Sequence, residues 1–227
     1  MTFAKLKYLV ALLVLIYPSV SFADIVLTPP GLAPGSQYRL AFVTSGTQDA
    51  TSSNIADYNT FVTNQAALNP MLASITQWRA IGSTATIDAR DNTGTNPSAI
   101  GVPVYRLDGI KIADNNSDIW DGGLDVSISR SQFDTPISGT VWVGSTLIGT
   151  APASSFALGG STPFFGSAAA ADPNWAAFSQ ANAFNLRSFY AISGIQTVAV
   201  PEPSSTLLVG IATCVWSFAR RRRKTNS

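Results

Sequence analysis

The chain has no histidine, one cysteine and one glutamate, and between its two ends it has a single lysine. Without histidine there is no imidazole base, no Ser-His-Asp or Cys-His arrangement and no ordinary zinc site. A Ser-Lys dyad would have to draw on Lys111, the lone lysine of the interior. The cysteine, Cys214, lies in an apolar run near the C-terminus, so the region before it must hold by its own core without disulfides. Between residues 24 and 200 all acidic groups are aspartates, twelve of them, against seven basic residues. That region is therefore near −5, although the whole chain reads +1. The surplus positive charge sits at the two ends, which leaves no basic stripe for nucleic acid.

The ends carry the clearest patterns. Lys5 and Lys7 precede an apolar run over residues 8–17, and Ser21-Phe22-Ala23 follows with small residues at the peptidase positions. This reads as a secretory leader, residues 1–23, cut by signal peptidase after Ala23. The alternative is an N-terminal membrane helix. At the other end stand Val200, Pro201, Glu202, Pro203 and Ser204, then an apolar segment over 206–219, then Arg220, Arg221, Arg222, Arg223 and Lys224. The sixteen residues 204–219 would make a helix about 24 Å long. A bilayer core is ~30 Å thick, so this transmembrane helix is marginal and needs thinning or snorkelling. The basic cluster should stay cytoplasmic.

Pro201-Glu202-Pro203, the short apolar helix and the arginine cluster, in that order, resemble the PEP-CTERM sorting signal of Gram-negative bacteria. The resemblance covers residues 200–227. It implies retention in the inner membrane, with Arg220, Arg221, Arg222 and Arg223 fixing orientation. An exosortase-like membrane protease would recognise Val200, Pro201, Glu202 and Pro203. Release to the cell surface or an extracellular matrix would follow, with exopolysaccharide as a partner there. An ordinary tail anchor is the alternative.

Residues 24–199 suit one exported globular domain. Tyr38 to Ser45 reads as a strand. Ile55, Tyr58, Val62 and Ala66 recur at helical spacing, with a cap among Ser52, Ser53 and Asn54 and Asp57 in the first turn. Asn69-Pro70 should end that helix. An extended segment is expected over 75–81. A hairpin is expected over 102–112, across a type I′ turn at Asp108-Gly109. Strands are expected over 124–128 and 141–143, the latter with a return arm from Ile148. The Ala, Gly, Ser and Pro of 150–174 suggest a long mobile loop. A closing hairpin should join 189–192 to 195–200 across Ser193-Gly194. The class is α+β with strands predominating.

The order of short motifs resembles a bacterial domain family of C-type lectin-like fold. These are Phe42-Val43-Thr44-Ser45, Trp78-Arg79-Ala80, the Ser83 to Arg90 stretch, Leu107-Asp108-Gly109, Asp121-Gly122-Gly123 and Val141-Trp142. The cysteines usual there are missing. The resemblance implies that the first and last strands pair.

One constellation suits a ligand. Asp114, Asn116, Asp118 and Asp121, with Asp125 behind, space oxygen donors as Ca²⁺ prefers. The pattern departs from an EF-hand loop: Ile119 stands where Gly is needed, and Asp replaces the bidentate Glu. A solvated β-turn is the plainer reading. Trp120 and Trp142 could stack on sugars or lie in the core. Asn115-Asn116-Ser117 is a glycosylation triplet, discounted in a bacterial-type chain. These observations lead to an exported surface or matrix protein with a non-catalytic core and no cofactor beyond calcium. Two rivals stand beside it: a glycan-binding lectin-like module assisted by calcium, and a hydrolase built on paired aspartates.

Overall fold

A computed structural model describes residues 25–75 and 77–201. The expected leader with Ala23, the tail from Glu202 and Pro203 onward, its 206–219 helix and its arginines lie outside the described residues. Within them the chain order is β1 (Gln37–Val43), α1 (Ile55–Ala67), β2 (Arg79–Ala80), α2 (Ala89–Asn92), β3 (Val104–Arg106), β4 (Lys111–Ala113), α3 (Asn116–Ile119), β5 (Thr140–Trp142), β6 (Phe164–Ser167), α4 (Asn174–Ala177), β7 (Ser179–Gln180), β8 (Ser188–Ile192) and β9 (Gln196–Thr197). The domain is strand-rich, built on one mixed sheet of order β4-β3-β1-β8-β5-β6-β7, with β2 added to β8 and β9 to β1. Among the described residues no helix is long and apolar enough to cross a membrane.

The middle of the sheet explains the rest. From Tyr38 onward β1 is buried on both faces, as a strand with a layer on each side must be. Its alternation splits two cores. Tyr38, Leu40 and Phe42 pack with Tyr58, Val62 and Ala66 of α1, together with Trp78, Trp142 and Phe189. Ala41 and Val43 face the opposite layer of Val104, Ile112, Trp120, Trp175 and Tyr190. α1 forms where its spacing predicts, and Asn54 is the cap that accepts from the Ala56 N–H at 3.1 Å. Such a cap contributes about 1 kcal/mol, and each fully buried large apolar side chain about 1.5–3 kcal/mol.

Four expectations change. First, the closing hairpin does not exist. β8 and β9 do not pair with each other; both run antiparallel along β1, from Val43↔Tyr190 and Ala41↔Ile192 to Tyr38↔Gln196 and Gln37↔Thr197, with one extra residue between. Ser193 bridges the break. Its N–H donates to Leu40 O at 2.8 Å, and its Oγ accepts from the Leu40 N–H at 2.9 Å. The hydroxyl stands in for a ladder carbonyl, so the bulge leaves no orphan donor on Leu40.

Second, residues 150–174 are not a loose loop. They supply β6 and the buried Ala157, Leu158, Phe165 and Ala168. The small residues are clearance for close packing: a Cβ on Gly166 would sit 1.7 Å from the Trp175 carbonyl oxygen. The return arm of β5 is β6, and Ile148 is exposed.

Third, the β3–β4 turn is not type I′. Arg106 O accepts from the Gly109 N–H at 2.9 Å, and Gly109 alone in the turn has positive φ, +82°. Arg106 N–H donates to Ile110 O at 2.8 Å, which closes a three-residue loop over 107–109, and a separate irregularity shifts the register between Val104 and Tyr105. Fourth, 124–128 is not a strand, although its alternation is sound: Leu124 and Val126 lean on the second core, and Ile128 is buried. Among the described residues of 75–81, only Arg79–Ala80 joins the sheet. The first and last strands do pair, through β1 with β8 and β9.

Candidate functional site

Three polar features and one chain exit are the candidates. At the exit, β9 lies on the start of β1, and the ladder continues one step beyond it. Val198 N–H donates to Ser36 O, and Gly35 N–H donates to Val198 O, both at 2.9 Å. Val200 and Pro201 are then exposed. Val198 and Pro201 are three residues apart, roughly 10 Å when extended. Pro201, the first proline of the expected handle, thus lies close to the domain edge formed by residues 34–36.

The acidic turn is only partly as expected. Carboxylate oxygens of Asp114, Asp118 and Asp125 lie within 4.8 Å of one another. Asn116 and Asp121 do not join them. Asn116 turns inward, 2% exposed, with Nδ2 donating to Asn96 O at 3.1 Å. Asp121 accepts from the Gly123 N–H. The cause is local. Asn115 Oδ1 accepts from the N–H groups of Ser117 and Asp118, capping the single turn of α3 where an open β-turn was expected. Asp114 is ion-paired with Lys111, and Asp118 Oδ2 accepts from the Asp114 N–H at 2.6 Å. The proposed four-residue calcium set is therefore not assembled, and two of the three gathered carboxylates already have partners. Asn115 of the glycosylation triplet is occupied as the cap.

Trp120 and Trp142 are core residues, 4% and 0% exposed, and cannot stack on a sugar. Their indole N–H groups donate to Thr95 Oγ1 and Asn185 O.

A knot of charge ties the β3–β4 hairpin to the loop after residue 127. Arg106 donates through Nε to Asp108 Oδ1 at 2.9 Å and through Nη2 to Oδ2 at 2.6 Å. Its Nη1 donates to Ser127 O and Ser129 Oγ, each at 3.0 Å. Arg130 Nε stands 3.5 Å from Asp108 and 3.7 Å from Asp134. Burial would raise the Asp108 pKa, but the Arg106 hydrogen bonds, with the Arg130 charge, hold it below the ordinary carboxylate value. Burial raises Asp134 above its ordinary value despite Arg130. Asp134 also has a left-handed backbone, φ +55°, and its buried Oδ1 has no hydrogen-bond partner.

The third feature was not anticipated. A cleft of about 410 Å³ opens beside Arg39, Gln77, Arg79, Asp91, Gly94 and Gly194. A second, about 310 Å³, adjoins it across Gln77 and Arg79 and reaches Thr60, Asn64 and Trp78. Asp91 is the one carboxylate lining either, so neither holds the aspartate pair that a hydrolase would need. Arg39 comes from the middle of β1 and is 8% exposed. Its Nη1 donates to Ser193 O at 2.7 Å and its Nη2 to Gly94 O at 3.2 Å, while the sealed Nε has no partner. Burial lowers its pKa. The wall behind is braced by a reciprocal amide pair. Asn59 Nδ2 donates to Asn92 Oδ1 at 2.8 Å, and Asn92 Nδ2 donates to Asn59 Oδ1 at 3.0 Å. The sequence held one clue to this cleft: an arginine inside the otherwise apolar run of β1.

Comparison with protein families finds a feature at the chain exit. Residues 199–224 match the PEP-CTERM protein-sorting motif. No curated protein matches the chain.

Proposed function

We propose that this PEP-CTERM sorting-motif protein delivers a finished, non-catalytic domain to the cell surface or matrix of a Gram-negative-type bacterium. The motif supports export by an exosortase-type route through a membrane-associated step. In this reading signal peptidase removes residues 1–23. The 206–219 segment and its arginines hold the intermediate in the inner membrane. The exosortase-type protease then cuts near Pro201-Glu202-Pro203.

One observation carries the reading. Among the described residues the last ladder hydrogen bonds are those of Val198, and the motif begins at Ala199. Cleavage beyond Pro201 leaves every strand pairing of the described residues intact. The pairing of β1 with β8 and β9 favours the C-type lectin-like reading of the domain, since it brings the chain's last strand beside its first.

Intact-mass analysis of the form released by the native host tests this. The expected mass corresponds to a chain beginning at Asp24 and ending near Pro201-Glu202-Pro203. A released form that still carries Arg220 to Arg223 would overturn it. Replacing Pro201, Glu202 and Pro203 by alanine should trap the protein in the membrane fraction.

A further inference from the structure

We propose that the paired clefts around Arg39 and Arg79 form an oxyanion-binding site for a small polar ligand bearing a carboxylate or a phosphate. This inference is independent of the sorting route.

A buried guanidinium is costly to hold unless an anion faces it. Among the described residues no carboxylate lies within ion-pair distance of Arg39 or of Arg79. Two backbone carbonyls satisfy part of the Arg39 fork, but they are neutral and leave Nε bare. Arg79 is exposed and lines both clefts. The single lining carboxylate, Asp91, already accepts from Asn96 Nδ2 at 2.6 Å. The clefts are thus positive on a domain that is near −5 overall.

The cationic groups bring only donors to the clefts: Nη1 and Nη2 of Arg39 each keep an N–H beyond their carbonyl bonds, and the Arg79 guanidinium is exposed. A wall of donors matches a ligand that only accepts, and a planar guanidinium fork matches a carboxylate or phosphate edge. The backbone adds a third sign. Gln77, shared by both clefts, has φ +70°, a conformation costly for a side-chain-bearing residue and typical of ligand-holding positions. Its side chain lies against Gly194, where a Cβ would meet Gln77 Oε1 at 3.0 Å. The combined space suits a ligand of monosaccharide size.

The test uses the full chain in detergent, with sodium glucuronate, inorganic phosphate and neutral methyl glucoside as probes. Each is titrated to about 10 mM, a level that fills even a millimolar site. Calorimetry and the thermal midpoint are read in parallel. Glucuronate binding with little response to phosphate would assign a carboxylate ligand; the reverse would assign a phosphate. Arg79→Gln changes an exposed side chain and should keep the unliganded midpoint while weakening binding about tenfold, the loss of a charge-assisted fork. Arg39→Lys is the second variant, keeping charge but losing the fork. No binding of either anion overturns the proposal. So does equal binding of methyl glucoside, or anion binding that survives both substitutions unchanged.

Discussion

Arg39 and Arg106 lie on adjacent parallel strands, β1 and β3, and are buried almost equally, at 8% and 6% exposure. Their surroundings are opposite. Arg106 meets a carboxylate two residues away through a bidentate pair and fills its remaining fork with Ser127 and Ser129. Arg39 meets only carbonyls and a cleft. Equal burial therefore does not mean equal role. A guanidinium that closes its own charge fastens a hairpin to a loop. One that leaves its charge open costs stability in the free protein, a cost that a bound anion would offset.

The largest break in this comparison is Asp108→Ala. It turns Arg106 into a second uncompensated cation and also strips Arg130 of a partner. Losing one member of a buried pair costs about 3–5 kcal/mol, and the expected result is a matching drop in unfolding free energy by urea titration. Arg39→Met should cost far less, about 1–2 kcal/mol, because it orphans the Ser193 and Gly94 carbonyls while removing an unpaired buried charge. If Arg39→Met proved as damaging as Asp108→Ala, the contrast between the two arginines would be lost.

The smallest effect sharpens the knot itself. Asp108 has its folded pKa lowered from 3.8. Its contribution is full above that ordinary value and is lost as pH falls through the lower folded value. Asp134 has its pKa raised from 3.8. Its stabilising effect is present below the ordinary value and is lost as pH rises through the raised folded value, so the ionised group weakens the fold at neutral pH. Asp134→Asn keeps a residue that tolerates φ +55° and removes that charge. It should stabilise the protein at pH 7 by a few tenths of a kcal/mol, roughly the scale of surface electrostatics. The advantage should fade below the ordinary carboxylate range, as a pH series of thermal midpoints would show.

Legibility in the sequence followed the range of the interactions. α1 could be read because its apolar stripe, its Asn54 cap and Asp57 all lie within one short window. β1 could be read because large apolar and smaller residues alternate over Tyr38 to Ser45. The sorting motif could be read because it is a linear string of residues, independent of the fold. The 150–174 segment misled because small residues signal freedom when alone and clearance when a neighbour's backbone is pressed against them, as at Gly166. Ser193-Gly194 misled because a bulge and a hairpin turn use the same residues; the choice was made by β1, which offered partners to both flanking strands. The calcium set misled because the Asn115 cap turned Asn116 away from the acids beside it.

By itself the sequence determined that histidine chemistry is absent, that the surplus of positive charge sits at the ends, and that residues 199–224 carry a sorting motif. Each of these depends on residue type or on neighbours along the chain. Only the tertiary structure decided which buried arginine has a counter-ion. Arg106 finds Asp108 two residues away, but the surroundings of Arg39 come from β2, the end of α2 and the bulge after β8. Those segments meet only when the sheet forms, because cross-strand pairing, not sequence proximity, sets which side chains share a cleft.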